Sequence, residues 1–300
     1  MSEARQQVDA KHVRKELLEN QSPELLKTLH LLTREGNLNA DARRKLKQVN
    51  HLVGLVQPAL DDVFSRFGAP VVVDVGSGNA YLGFVLYELF FKGTDKGELW
   101  SVETRADLTE RAAERAKALG YSRMRFVQGE IGEASEGSRG RRASEAQPAG
   151  AAKELPERVH LLTALHACDT ATDDALAAAI RHNADHVAVV PCCQAEVAQQ
   201  LKASKAKVTP PVAALFEHSW HRREFGSHLT NVIRALVLEA HGYQVTVTEL
   251  AGWEHSLKNE LILGRRIRKE SPEAKGRLRA LLDATQVQPR LVRELRASLA

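Results

Sequence analysis

Apolar residues recur in two different rhythms along this chain of 300 residues, and the rhythm changes near residue 70. Before that point leucine and valine recur at helical spacing, which predicts a helical N-terminal extension over residues 1–66. Gly68, Ala69 and Pro70 then interrupt the pattern. From Val71 onward, short β-branched runs alternate with longer amphipathic stretches, as in a chain that alternates strands and helices.

Seven strands are predicted from these short apolar runs. Their ranges are 71–75, 98–103, 124–128, 159–165, 186–190, 243–248 and 260–264. Strands that alternate with helices predict an α/β fold, a mostly parallel sheet with helices on both faces. Acidic or amide residues are predicted to cap two of the helices: Asn39 or Asp41 near the N-terminus, and Asp173 or Asp174 before an alanine-rich run.

Two segments do not fit the alternation. Residues 132–156 are rich in Gly, Ala, Ser and Glu without apolar periodicity, so we predict a flexible excursion with no buried role. Residues 269–300 carry helical spacing and many basic side chains, so we predict a basic helical tail. The chain would then consist of the extension 1–66, a central domain over 67–268, and this tail.

Composition narrows the class of protein. The length suits one large α/β domain with appendages. No apolar run approaches the ~20 residues of a membrane helix, and the N-terminus lacks the apolar core of a secretory signal. Three cysteines provide no disulfide framework. We therefore expect a cytoplasmic protein without membrane contact, and no sequence feature indicates an obligate protein partner.

The charge is unevenly placed. The net charge is only +4, yet residues 265–300 hold ten basic against four acidic side chains. Basic ends around a neutral body fit a nucleic-acid substrate. The alternative is a solvated amphipathic helix whose charges only keep the protein soluble.

The first predicted strand leads into the chain's most informative motif, Asp74-Val75-Gly76-Ser77-Gly78. Glycines at a strand-to-helix turn let a ligand lie against bare backbone. Nicotinamide-binding folds place their ribose-binding acid after the second strand and need none before the first glycine. A carboxylate at Asp74 suits a positively charged ligand such as S-adenosylmethionine (SAM), with its ammonium and sulfonium groups. The alternative is an ordinary turn whose glycines only give clearance.

Other candidate cofactor residues follow from the rule that ligands bind at the carboxyl ends of parallel strands. Glu103 ends the second strand, where a carboxylate can accept both ribose hydroxyls. Gln128 or Glu130 could bond the adenine amino group. Asn79 leaves room at a helix N-terminus, whose free N–H groups favour a carboxylate.

Candidate chemical groups follow the fourth and fifth strands. His166 and Asp169 are predicted to flank the acceptor, with His166 either removing a proton or ordering the methionine end of the cofactor. Cys192 and Cys193 either line the pocket or act as nucleophiles. A metal site formed with Cys168 ranks last, because adjacent cysteines rarely both bind one zinc ion.

Two further segments are candidates for substrate binding. Lys258 and Asn259 precede the last strand and could reach an acceptor or a phosphate, although a hairpin turn explains them nearly as well. Residues 219–225, which include Trp220, mix aromatic and basic side chains. That mixture suits base stacking with phosphate contact, and the alternative is a core tryptophan with a solvated rim.

The Asp-x-Gly-x-Gly pattern resembles motif I of the class I SAM-dependent methyltransferases. DVGSGNAYLG, LHACDTATD, VPCCQ and EHSLKNELI together resemble a methyltransferase domain family of bacteria. The same domain forms the C-terminal part of the animal glutathione S-transferase C-terminal-domain-containing protein. The likeness spans roughly Lys45 to Arg266. It implies a Rossmann-like sheet whose last strand is antiparallel, and SAM as cofactor.

The resemblance leaves the substrate open. Distant relatives include tRNA 2′-O-methyltransferases, which favours RNA by analogy. Cytosine-5 RNA methyltransferases place cysteines after the same two strands, but their Pro-Cys-Ser and Thr-Cys contexts are absent. This chain has Ser-Leu-Lys-Asn where many relatives have Thr-Pro-Lys-Asn. We predict a SAM-dependent methyltransferase acting on RNA (tRNA or rRNA). The alternatives are a protein or small-molecule methyltransferase and a non-catalytic SAM- or RNA-binding module.

Overall fold

A computed structural model of the chain describes residues 17–32, 40–131, 155–165, 169–191, 194–250 and 260–299. Its strands are β1 (Val71–Val75), β2 (Glu98–Glu103), β3 (Met124–Gln128), β4 (Leu161–Leu165), β5 (His186–Val190), β6 (Tyr243–Glu249) and β7 (Glu260–Arg266). Its α-helices are α1 (Pro23–Thr28), α2 (Ala40–Arg66), α3 (Tyr81–Leu86), α4 (Ala106–Ala118), α5 (Thr170–Arg181), α6 (Glu196–Ser204), α7 (Pro210–Ala214), α8 (Ser219–Ala240), α9 (Pro272–Thr285), α10 (Arg290–Glu294) and α11 (Arg296–Leu299).

The strands form one sheet in the order β3-β2-β1-β4-β5-β7-β6. The pairs from β3 to β5 are parallel, and β7 is antiparallel to both of its neighbours. β6 therefore runs in the same direction as β1 to β5. This is the predicted α/β Rossmann-like sheet, including the antiparallel last strand.

β1 lies in the middle of the sheet, and its sequence explains why. Val72 and Val73 are fully buried, as expected for a strand covered on both faces, and such strands read as continuous apolar runs. In register, Asp74 lies between Ser101 of β2 and Thr163 of β4. The acid that precedes the glycine turn is thus surrounded by sheet rather than by solvent.

Helices cover both faces of the sheet. The N-terminal helices α1 and α2 pack with α3 and α4 over one face, through a core that includes Leu46, Val56 and Phe84. On the other face α5, α6 and α8 pack together with the C-terminal helices. No helix within the described ranges is long and apolar enough to cross a bilayer.

The basic tail packs on the domain rather than extending from it. Leu278, Val287, Leu291 and Leu295 are buried in the same core as the strands. The four apolar residues recur along α9, the following turn and α10, so the tail buries one face and exposes its charges. This segment lay outside the family resemblance, yet it covers part of one sheet face.

Several boundaries differ from the sequence prediction. α5 begins at Thr170, so Asp173 and Asp174 lie within its first turns rather than capping it. Asp41 likewise lies inside α2, and Asn39, the alternative cap, lies outside the described residues. The prediction of no buried role for 132–156 is wrong at its end, because Leu155 is 3% exposed and packs in the core.

Candidate active site

A cleft of about 760 Å³ lies where the carboxyl ends of the parallel strands meet. Its walls come from the turn after β1, the ends of β2 to β5, helix α2 and the C-terminal tail. The residues that line the cleft include Lys45, Asp74, Gly76, Gly78, Asn79, Tyr81, Glu103, Arg105, Glu130, Leu165, Thr170, Asp174, Val190 and Arg290. This is the edge at which ligands bind in open α/β sheets.

The turn after β1 is built from left-handed backbone. Gly76 and Gly78 have φ of 63° and 56°, and Ala80 has φ of 55°. Ser77 donates its N–H to the carbonyl of Val102 at 3.1 Å, which fixes the turn against β2. A Cβ placed on Gly78 would meet no atom within 4 Å, so the space beside this glycine is open to a ligand. The turn therefore forms a cradle of bare peptide, as the sequence predicted.

Asp74 lies beneath this turn with only 2% of its surface exposed. Thr163 Oγ1 donates to Asp74 Oδ1 at 2.9 Å, and it is the side chain's one hydrogen-bond partner among the described residues. Burial raises the pKa of Asp74 to about 7, although the Thr163 hydrogen bond opposes the shift. A buried carboxylate with so few partners is suited to a ligand that brings positive charge or N–H donors.

Glu103 ties the end of β2 to the glycine turn. Its Oε2 accepts the N–H of Gly78 at 2.7 Å, and its Oε1 accepts the N–H of Arg105 at 3.1 Å. Burial raises the pKa of Glu103, but the hydrogen bonds from these two backbone N–H groups outweigh it and leave the pKa below its usual value. The carboxylate therefore stays charged and has lone pairs left to accept further hydrogen bonds.

The outer wall of the cleft is more exposed. Glu130 lines it, whereas Gln128 ends β3 as an exposed residue outside the lining. Asn79 lines the turn, and Tyr81 holds the Nζ of Lys45 3.5 Å from its ring centroid. Of the two alternative adenine contacts, only Glu130 is brought to the cleft.

The opposite wall includes a residue from the tail. Arg290 Nε lies 2.7 Å from Asp174 Oδ1 and 2.9 Å from Glu294 Oε1. Burial and the hydrogen bond to Glu294 raise the pKa of Asp174 to about 6, against the lowering effect of Arg290. Asp174 and Arg290 both line the cleft beside Thr170. The C-terminal segment thus forms part of the cleft wall, although the sequence analysis placed every site residue in the central domain.

Asp169 joins the loops that follow β4 and β5. Its Oδ1 accepts the N–H of Ala195 at 3.0 Å, and its carbonyl accepts from Arg234 Nη2 at 2.8 Å. Its backbone has φ 48° and ψ −116°, a conformation that non-glycine residues rarely adopt. The described contacts of Asp169 are therefore structural, and they lie next to the cleft wall formed by Thr170.

A buried polar network on α8 escaped the sequence prediction. Arg234 is 1% exposed, and its Nε lies 2.7 Å from Asp173 Oδ1. Its Nη1 donates to Asn231 Oδ1 at 3.1 Å, and Asn231 Nδ2 donates to Glu260 Oε2 at 2.9 Å. One signal was available: Arg234 is the single charge in the apolar stretch from Val232 to Leu238.

Five predicted site residues lie outside the described residues: His166, Cys192, Cys193, Lys258 and Asn259. Leu165 and Val190, which end β4 and β5, line the cleft.

Trp220, for which a position in the core was the alternative prediction, is 58% exposed, so that alternative is wrong.

A family model described as a methyltransferase domain matches residues 44–200, more than half of the chain. No curated protein matches the sequence. Among solved structures, the chain is similar to an rRNA methylase from Streptococcus thermophilus, with 10% identity, a TM-score of 0.44 and coverage of 72% of this chain and 96% of that chain.

Two further structures are similar at comparable distance. An SAH-bound methyltransferase from Podospora anserina has 11% identity and a TM-score of 0.46, over 89% of this chain and 97% of that chain. A precorrin-6y C5,15-methyltransferase from Geobacter metallireducens has 14% identity and a TM-score of 0.39, over 71% of this chain and 88% of that chain. Similarities this distant say nothing about the acceptor. The family match, which includes the glycine turn and Glu103, carries the assignment: the chain belongs to this methyltransferase-domain family and is a SAM-dependent methyltransferase.

Proposed function

We propose that the cleft binds SAM through Asp74, Gly76, Gly78, Asn79 and Glu103, with Glu130 at its outer wall. The observation that carries this proposal is the buried carboxylate of Asp74 beneath an open glycine turn. Glu103 is suited to the ribose hydroxyls, since it remains charged. The N–H groups at the start of α3 favour the carboxylate of the amino-acid end.

The chain's own contribution to the reaction is then alignment and charge. When bound, SAM supplies an electrophilic methyl group, so little covalent help is needed from the protein. Thr163 donates a hydrogen bond to one oxygen of Asp74, which fixes the orientation of the carboxyl group. We further propose that Asp169 acts as a positioning residue, because its side chain binds the backbone after β5 and its carbonyl accepts from Arg234 of α8. A proton-accepting role for His166, nucleophilic roles for Cys192 and Cys193, and substrate contacts by Lys258 and Asn259 stay predictions.

We propose RNA, in the form of tRNA or rRNA, as the acceptor. Three cations line the cleft: Lys45, Arg105 and Arg290. Arg105 pairs with Glu103 and Arg290 with Asp174, whereas the ammonium of Lys45 lies over the ring of Tyr81. Because β1 begins where α2 ends, α2 begins at the carboxyl edge of the sheet, which places Lys45 beside the cleft. Cations at the methyl-transfer cleft, together with the basic excess of residues 265–300, favour a polyanionic acceptor.

The test compares two carboxylates of the same strand. Glu103→Ala is expected to weaken SAM binding about 10- to 100-fold in calorimetry, because it removes charge-assisted hydrogen bonds in the cleft. Glu98→Ala, at the other end of β2, removes a carboxylate that pairs with Arg125 at 2.8 Å and is expected to leave SAM affinity unchanged. Undiminished affinity in Glu103→Ala would contradict the ribose assignment.

The acceptor is tested with the wild-type protein and tritiated SAM. We expect label in RNA extracted from cells that lack the protein, and a steep fall of RNA affinity as salt rises. Mass spectrometry of the nucleosides then identifies the modified base or ribose. Label found only in protein or small molecules would overturn the RNA acceptor while leaving the cofactor proposal intact.

A further inference from the structure

An exposed cluster of aromatic and cationic side chains lies at the start of α8. We name it the Trp220 surface, and it consists of His218, Trp220, His221 and Arg223. The guanidinium of Arg223 lies 4.3 Å from the centroid of the Trp220 ring. The rings of His218 and His221 meet edge to face at 5.4 Å. All four side chains are exposed, and none of them lines the cleft.

Much of the indole faces solvent. Arg223 lies over the ring, yet Trp220 is still 58% exposed. An exposed indole offers a flat apolar surface on which a planar ligand can stack. Nothing in the described part of the chain covers it.

The surface is held rigidly. Just before it, Phe216 is fully buried and stacks on Phe225 at 6.0 Å between ring centroids. Just after it, Gly226 lets α8 lie directly on α6, because a Cβ there would come within 2.9 Å of Ala198. A preorganised platform loses little conformational entropy when a ligand binds.

The direction of α8 places this surface at the same edge as the cleft. α8 leads into β6, which runs parallel to β5, so α8 begins at the carboxyl edge of the sheet. Ser227 Oγ donates to Gln194 Oε1 at 2.6 Å, just beyond the end of β5, which confirms this placement. At 1.5 Å per residue, Trp220 stands about 10 Å further out along the helix than Ser227.

The charge of the segment around the Trp220 surface indicates which class of ligand the surface binds. Residues 201–225 carry five Lys or Arg side chains against two carboxylates, Glu217 and Glu224. Glu217 pairs with Lys205 at 3.0 Å, and Glu224 pairs with Arg223 at 3.1 Å. Lys202 and Lys207 have no ion pair among the described residues. An exposed aromatic ring in a segment of net positive charge matches single-stranded nucleic acid, whose unpaired bases stack while its phosphates meet cations.

We infer that the Trp220 surface binds an unpaired segment of the RNA substrate, with one base stacked on Trp220 and a neighbouring phosphate near Arg223. This inference rests on the proposed RNA acceptor. It adds a requirement for single-stranded RNA outside the methyl-transfer cleft. A duplex would not serve, because its bases are already stacked on each other.

The test uses a short, labelled, single-stranded RNA of mixed sequence, measured by fluorescence anisotropy with the full-length protein. Trp220→Ala is expected to weaken binding roughly 5- to 100-fold, and Trp220→Phe to retain most of the affinity, since any aromatic ring stacks. Trp220→Leu keeps apolar area but not the ring, and it is expected to behave like the alanine variant. SAM affinity in calorimetry should be unchanged in all three variants, which shows that they are folded.

Two matched controls separate stacking from general apolar or charge effects. Leu215→Ala removes another exposed apolar side chain of the same region, and Arg268→Ala removes a cation after β7, at the opposite edge of the sheet. Both are expected to bind RNA like the wild type.

Wild-type affinity in Trp220→Ala or Trp220→Leu would overturn the inference, as would a change of oligomeric state in place of a change of RNA affinity. If the wild-type protein binds no RNA, the RNA acceptor and this surface are both rejected. If the wild-type protein binds RNA and the Trp220 variants bind it equally well, the RNA acceptor stands and only the surface is rejected.

Discussion

Asp74 shows how one residue couples burial to ligand charge. Its carboxyl group is buried in the centre of the sheet with Thr163 as its partner, and burial raises its pKa to about 7. The protonated form carries no charge to attract a sulfonium or an ammonium group. Ligand binding to the ionised form must therefore compete with protons near neutral pH.

We predict that SAM affinity falls as the pH drops below about 7, by up to tenfold per pH unit, because only the ionised carboxylate attracts the cofactor. Calorimetry across this range measures the affinity and also the proton released on binding. Asp74→Asn is the control, with weak binding that does not vary with pH. An equally steep pH dependence in Asp74→Asn would assign the effect to another group.

The same shift has a cost for the folded protein. The folded pKa of Asp74 lies above the value of 3.8 for an unburied aspartate, so the folded state binds this proton more tightly than the unfolded chain does. Stability contributed by this group falls as the pH rises from about 4 to about 7 and stays lower above that. The buried carboxyl group that we propose for SAM binding therefore lowers the stability of the protein without ligand at neutral pH.

At the level of elements, α8 is fixed to the sheet edge by polar groups rather than by apolar packing alone. Arg234 meets Asp173 of α5, and Asn231 meets Glu260, the first residue of β7. Because β7 is antiparallel, its first residue lies at the carboxyl edge. The network therefore joins α5, α8 and β7 beside the cleft.

We predict that Arg234→Leu destabilises the protein by about 3–5 kcal/mol, because it leaves the Asp173 carboxylate buried and unpaired. The double variant Arg234→Leu with Asp173→Leu is expected to lose less than the single variant. Denaturant unfolding measures both. Arg223→Leu, an exposed position of the same helix, should change the free energy of unfolding by less than about 0.5 kcal/mol. A double variant less stable than Arg234→Leu would contradict this reason, because Asp173 would then stabilise the fold without its arginine partner.

The strands could be predicted closely from the sequence, whereas several helix starts could not. Strands such as β1 are short, apolar and bounded by glycine or acid, so their ends are marked in the sequence. Asp173 and Asp174 look like caps, but both are bound by arginines that are distant in the chain, Arg234 and Arg290. Such partners depend on tertiary packing, which a local pattern does not contain.

The site divides in the same way. Asp74, Glu103 and the glycine turn could be predicted because parallel strands bring their carboxyl ends to one edge. Lys45 and Arg290 were missed as cleft residues, because they come from the N-terminal helix and the C-terminal tail. Gln128 and Glu130 could not be separated, since a turn of two residues decides which of them faces the cleft.

At the level of the whole molecule, the tail belongs to the packed domain. Leu291 of α10 is fully buried in the core that also holds strands of the sheet. Arg290 beside it pairs with Asp174 of α5, and Arg277 of α9 lies 3.2 Å from Glu239 of α8. Part of the tail's excess positive charge is thus used inside the protein.

We predict that Leu291→Ala lowers the free energy of unfolding by about 2–5 kcal/mol, the usual cost of truncating a buried leucine. Thermal unfolding should remain a single transition, because the tail shares the core of the sheet. Leu299→Ala, at a half-buried position near the end of α11, is the milder control. A separate early transition that leaves the remaining protein at wild-type stability would identify the tail as an independent unit.

The cleft has one consequence for how the protein is made. Lys45 and Arg290 lie on its walls, although 244 residues separate them in the chain. During synthesis the glycine turn is made first. The antiparallel pair β6 and β7 and the last helices must follow before the wall that contains Arg290 can form. Premature termination or proteolytic clipping before that arginine therefore removes one wall of the cleft together with Leu291 and Leu295 of the core.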